Sequence, residues 1–179
     1  MNRALNAALA VVLPLMVMAA WTAKLTHTSL TGRVVHLPVT GYDPRDLLSG
    51  HYLRYAVDLG PATPCANQPE GPVCVCLPQE RVDLLPPDQR VIQHGQCQSV
   101  NCELRLQGEC RNGRFESGLE KFYFPESYTL QLATVPPGSR VEAVLDGDGR
   151  ATAPEFYVGN NPLKTYLKAK TVNSKTPEP

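Results

Sequence analysis

The residues of this chain best equipped for covalent chemistry are six cysteines, Cys65, Cys74, Cys76, Cys97, Cys102 and Cys110. An even, closely grouped set reads as a disulfide framework in an exported protein and as metal ligands in a reducing compartment. The C-x-C, C-x4-C and C-x7-C spacings lack the repeated knuckle of structural zinc sites, and no histidine stands at ligand spacing. Nor is there a C-x-x-C for thiol exchange or a C-x-x-C-H for haem attachment. Disulfides are therefore the expectation, and thiolate binding of zinc or copper(I) is the alternative. Spacing does not choose among the pairings. Cys74 and Cys76 lie two apart in an apolar run, so on a strand they face the same side and must pair elsewhere.

Other groups offer less. His27, His36, His51 and His94 have no second ligand at i+2 or i+4, and each is expected as a surface or half-buried imidazole. Asp43, Asp46 and Glu120 could pair for acid and base work, but Arg45 between the first two suits a salt-bridged structural cluster better. Ser49 and Lys121 make a nucleophile and base only if the fold joins them. Asp146-Gly147-Asp148-Gly149 lacks the Glu that closes a calcium loop and instead supplies the positive φ of a tight turn. No metal, no cofactor and no catalytic residue are expected.

The elements that must position these groups follow from composition and pattern. The chain has 179 residues, room for one domain plus an anchor. Seventeen basic residues balance seventeen acidic ones, which removes the electrostatic basis for binding nucleic acid. From Ala4 to Ala23 there is no charge. A helix of that length covers about 30 Å, a bilayer core, whereas a cleavable signal has an apolar stretch of about 7–15 residues. Residues 1–24 are thus expected to be an uncleaved transmembrane anchor touching the membrane through residues 4–23, with Trp21 at the outer interface. Removal by a peptidase, after Val17 and Ala19 or Met18 and Ala20, is the alternative. Both send the bulk of the chain into the periplasm and agree with disulfides.

After a tether over residues 25–31, residues 32–160 read as a mainly β domain: an antiparallel sheet or barrel-like body of about seven strands with one short helix. Arg33 to Thr40 and His51 to Leu59 alternate as strands. A Cys- and Pro-rich insert spans residues 61–110 around the island Val73 to Leu77. Leu104 to Cys110 and Arg114 to Phe124 flank an Asn112-Gly113 hairpin turn, and Val141 to Val158 form a second hairpin. Glu126 to Val135 is the helix candidate, stopped by Pro136, Pro137 and Gly138. Residues 161–179 hold four of the six lysines and read as a mobile basic tail.

Two blocks, TGYDPRDLLSGHYLRYAV at Thr40–Val57 and GLEKFYFPE at Gly118–Glu126, followed by VEAVLDGDGRA, resemble the GDYxxLxY family of bacterial membrane-anchored proteins. The matching positions are Asp43, Pro44, Arg45, Asp46, Leu48, Gly50, Tyr52, Glu120, Phe122, Pro125 and Glu126. The naming motif itself is degenerate: His51 replaces the acid, Tyr55 the Leu and Val57 the Tyr. The resemblance implies a single-pass inner-membrane protein with an external β domain and an integral membrane protein as partner, but no settled reaction. Within it, Gly50 would ease backbone crowding at the start of the second strand, and Arg45 could pair with Asp43, Asp46 or Glu120. Tyr52, Arg54 and Tyr55 are the expected contact residues, since Tyr and Arg are common at interface centres. The same turn is similar to the serine-bearing segment of bacterial signal peptidases, so a degenerate hydrolase using Ser49 and Lys121 is the alternative, although Tyr42 and Asp43 stand where that serine is expected. A binding module is the expectation.

Overall fold

The computed structural model describes residues 3–41, 52–62, 64–66, 71–123 and 135–173. The chain divides into two compact units, Met1–Gly32 and Arg33–Pro179. The first holds α1 (Arg3–Thr31), a helix that runs through Pro14 and through the expected tether. Its Thr22 and Thr26 hydroxyls donate to the carbonyls of Met18 and Thr22, 2.8 and 2.9 Å away, so neither seeks a partner off the helix. The expected helix is present, but among the described residues no helix is long and apolar enough to cross a membrane. The polar Thr22, Lys24 and Thr26 dilute the apolar run towards its end.

Among its described residues the second unit has ten strands in two antiparallel sheets, where about seven strands were expected. In chain order they are β1 (Arg33–Gly41), β2 (Tyr52–Val57), β3 (Gly71–Cys76), β4 (Gln93–Gln96), β5 (Arg105–Arg111), β6 (Arg114–Glu116), β7 (Lys121–Tyr123), β8 (Ser139–Leu145), β9 (Ala151–Val158) and β10 (Asn161–Pro162). One sheet runs β10-β9-β8-β1-β2-β7, the other β4-β3-β5-β6. Alternation explains the first: Val35, Leu37 and Val39 of β1 and Val141, Ala143 and Leu145 of β8 point inward, and their neighbours do not. Val75 and Leu106 of the second sheet join the same core, at 0% exposure.

The second sheet's other face has few aliphatic side chains, and cystines replace them. There Cys74 and Cys76, on one side of β3, bond to Cys97 and Cys102, whereas Cys65 bonds to Cys110 on the opposite face, beside Val73. The first two bridges and Val100 form a small buried cluster. The Asn112-Gly113 turn has φ of 51° and 73°, the two positive values of a type I′ hairpin. In the second hairpin, Asp146 Oδ1 accepts the amides of Asp148 and Arg150, both at 2.9 Å. That turn also ties the sheets together, because the Gln107 amide donates to the Gly149 carbonyl at 2.7 Å.

One expectation needs correction, and another is not tested. Residues 161–179 are not simply a tail: β10 leads into α2 (Leu163–Asn173), which buries Leu163 and Leu167 at 3% and 1% exposure. The lysines masked that register, because an 11-residue helix needs only these two anchors to dock. The helix expected over 126–135 lies outside the described residues except for Val135, which has no regular structure.

Candidate functional site

Strand polarity brings the ends of β1, β2 and β7 together at one end of the six-stranded sheet. β1 pairs antiparallel with β2 through Val39↔Val57 and Gly41↔Tyr55, and β2 with β7 through Tyr52↔Tyr123 and Arg54↔Lys121. The last residue of β1, the first of β2 and the last of β7 therefore lie towards the same end, opposite Arg33, which pairs with Leu145. Val135 reaches this end too: a Cβ on Gly41 would stand 3.1 Å from its Cβ. Residues 42–51 leave Gly41 and return at Tyr52, while residues 124–134 leave Tyr123 and return at Val135. Asp43, Pro44, Arg45, Asp46, Leu48, Ser49, Gly50, His51, Pro125 and Glu126 belong to these two stretches, outside the described residues.

At the edge itself, the Tyr52 and Tyr123 rings sit 5.8 Å apart, and the Lys121 ammonium lies 5.1 Å from the Tyr52 centroid, a cation–π contact. Tyr52 is nearly buried at 7% exposure, whereas Tyr123 shows 66% of its surface. Arg54 is exposed. Tyr55 is not a contact residue: at 1% exposure it packs in the core, its ring 5.6 Å from that of Phe156. Burial, and secondarily the Glu120 charge, push its phenol well above the ordinary tyrosine value, which suits neither acid nor base chemistry. Phe122 packs against the core and its ring also meets Phe156 at 5.6 Å.

Glu120 is fixed from both ends. Its carbonyl accepts the Tyr55 amide at 3.1 Å, and its Oε1 accepts the Ser117 amide at 2.6 Å and the Ser117 hydroxyl at 2.9 Å. The expected pairing with Arg45 involves a residue that is not described. Sequence reading passed over Ser117, although Ser-x-x-Glu is the spacing at which a hydroxyl and a carboxylate meet across a turn. Ser117, Gly118 and Glu120 line an open groove of about 340 Å³ with Gln107, Arg111 and Arg150.

Neither chemical alternative gains support. Every cysteine is in a disulfide, so thiolate ligands do not exist, and among the described residues no group of three or more His, Cys, Asp or Glu could hold a metal ion. Lys121 lies exposed over an aromatic ring. Of the histidines, His94 is exposed and His36 half-buried.

Among curated proteins and solved structures, none matches this chain. A family model described as GDYXXLXY protein matches residues 14–155, which takes in β1 to β8, the first half of β9 and both blocks described above. The chain belongs to the GDYXXLXY family.

Proposed function

We propose that this protein is a membrane-anchored, extracytoplasmic binding module that docks an integral membrane protein through the end of the six-stranded sheet where residues 42–51 and 124–134 emerge. One observation carries the reading: Gly41, Tyr52, Tyr123 and Val135 converge there, so that two blocks far apart in the chain share one place. An exposed Tyr123 beside Lys121 and Arg54 offers the aromatic and cationic groups that anchor protein interfaces. Three disulfides and no free thiol support an oxidising compartment. The uncharged run Ala4 to Ala23 supports the anchor, spanning the inner membrane once with the bulk of the chain in the periplasm.

A photocrosslinking side chain placed at Tyr123 in the full-length protein, followed by gentle detergent extraction, tests the docking. The expected result is an adduct with an integral membrane protein that is lost when the crosslinker moves to Ile92, a residue 68% exposed in the other sheet's approach loop. Recovery of the protein alone in several detergents, with no adduct at Tyr123, refutes it. A reporter fused after Pro179 that is active only in the reducing interior refutes the compartment separately.

A further inference from the structure

β8 pairs one edge of β1 from Arg33 to Pro38, but on the other edge β2 reaches only Val39 to Gly41. The gap beside His36 is filled by a turn from the insert. The His36 amide donates to the Glu80 carbonyl at 2.7 Å, His36 bridges Arg81, and Val82 in the following 3-10 turn (Val82–Leu84) is wholly buried. Side chains clamp the same place. Arg81 makes two hydrogen bonds to Asp83, both 2.9 Å, and Asp83 also faces Arg140 Nε of β8 at 3.7 Å, its side chain only 8% exposed. Glu142 of β8 stands opposite His36 in register but accepts the Tyr157 hydroxyl of β9 at 3.3 Å. The Tyr157 ring lies edge-on to the imidazole at 6.3 Å and under the Arg140 guanidinium at 4.7 Å.

We propose that His36 is a proton-operated latch: when neutral it lets the Glu80–Leu85 turn close the open edge of β1, and when protonated it releases that turn and bares a length of strand edge. The charges facing the imidazole are Arg81 and Asp83 from the turn and Arg140 and Glu142 from β8, which cancel while His36 is neutral. Protonation adds a third cation. Both carboxylates are already engaged by Arg81, Arg140 and Tyr157, and the Nδ1 atom is buried with no hydrogen-bond partner among the described residues. At Nδ1 an imidazolium would carry a buried N–H with no hydrogen-bond partner among the described residues. In agreement, burial and then the Arg81 charge hold the imidazole below its ordinary value. The fold therefore favours the neutral form: the latch is fully closed above the ordinary imidazole range and weakens as pH falls through the lowered value.

The opening is local because the far side of the insert has its own fastenings. Arg90 pairs with Asp58 at 2.6 Å and donates to the Leu85 carbonyl at 3.2 Å, and the Ile92 amide donates to the Cys76 carbonyl at 3.0 Å. Only the stretch up to Leu85 depends on His36. A strand edge bared in this way is a template for pairing with another extended segment.

Amide hydrogen exchange of the full, disulfide-bonded chain at about pH 7.5 and about pH 5, a window that titrates histidine but lies above the range of Asp83, reads the latch directly. After correction for intrinsic exchange, the opening constants of the His36, Leu84 and Leu85 amides should rise on acidification, approaching tenfold for each unit by which the His36 value lies below the ordinary one. The Val75 amide in the second sheet should not change. In His36→Gln, which stays neutral, the response should vanish. The idea is overturned if His36→Gln responds like the native chain, if the native chain shows no excess opening, or if an NMR titration of native His36, which needs no variant, puts its value at or above that of an ordinary imidazole.

Discussion

Replacing Tyr55 by Phe should stabilise this protein. The side chain is 1% exposed, and its hydroxyl has no hydrogen-bond partner among the described residues. A buried hydroxyl that has lost water without gaining a partner costs about 1–3 kcal/mol. The ring, which supplies the contacts with Phe156 at 5.6 Å, is untouched by the change. Tyr55→Phe is therefore expected to gain about 1–2 kcal/mol, since part of the penalty is recovered by weak polar contacts in the core. At about 2–4 °C per kcal/mol for a domain of this size, the unfolding midpoint should rise by roughly 2–8 °C. Urea unfolding followed by circular dichroism, with disulfides intact, gives the free energy, and a thermal scan checks it. The gain should hold across neutral pH, because the phenol stays protonated far above its ordinary range.

The companion substitution, Tyr55→Leu, restores the residue of the family motif and should nonetheless cost about 1–3 kcal/mol, because this core has closed around the larger ring and would keep a cavity. The opposite signs for Phe and Leu are the signature. A loss of more than about 0.5 kcal/mol in Tyr55→Phe would show that the hydroxyl is bonded in the folded protein and that the reasoning from burial fails.

Other expectations concern the stapled insert. Replacing Cys74 and Cys97 by Ala opens a bridge with a sequence separation of 23, and loop-closure entropy sets the cost at about 3 kcal/mol. The urea midpoint should fall accordingly, and an unchanged midpoint would mean that the cystine layer is ornamental to stability. Gly60→Ala should be worse than its size suggests, because φ is +72° and the new Cβ would stand 1.8 Å from the Pro87 carbonyl oxygen, a backbone atom. A loss of about 2 kcal/mol or more, with new protease cuts between residues 78 and 92, is expected. Near-native stability and resistance would show that residues 58–60 do not seat this loop.

Local chemistry explains which parts of this structure were legible in the sequence. The first strand, the Asn-Gly and Asp-Gly hairpins and the turn-back of Cys74 and Cys76 could be read because each is decided by neighbours in the chain: alternation, positive φ or a shared face. The cystine pairing could not, since it depends on where β4 and the loop after it cross β3. Nor could α2, whose two buried leucines sit among lysines and look like a solvated tail until β9 and β10 offer them a surface. The polar cluster around His36 was invisible for a stronger reason. Its members come from β1, the insert, β8 and β9, and no spacing relates His36 to Asp83 or to Tyr157. Residue type points Tyr55 towards an interface, whereas strand phase puts it in the core.

Strand phase also says where function can reside. In the motif strand, Tyr52, Leu53 and Tyr55 are exposed by 7%, 0% and 1%, and Val57 packs against the core, so the side chains at the motif's Tyr, Leu and second Tyr positions face protein and not solvent. Only Arg54 and Ala56 look outward. A motif spent on burial fixes the register of β2 between β1 and β7, and through that register it fixes the points from which residues 42–51 and 124–134 depart. This explains how the motif can degenerate here to Tyr55 and Val57, both apolar enough for a core, while Asp43, Pro44, Arg45 and Asp46 still match. If the proposed docking is right, substitutions at Arg45 or Asp46 should abolish partner crosslinking at Tyr123 while leaving the unfolding free energy within about 0.5 kcal/mol of its starting value. Loss of stability in step with loss of crosslinking would instead mark those residues as structural and move the binding surface elsewhere.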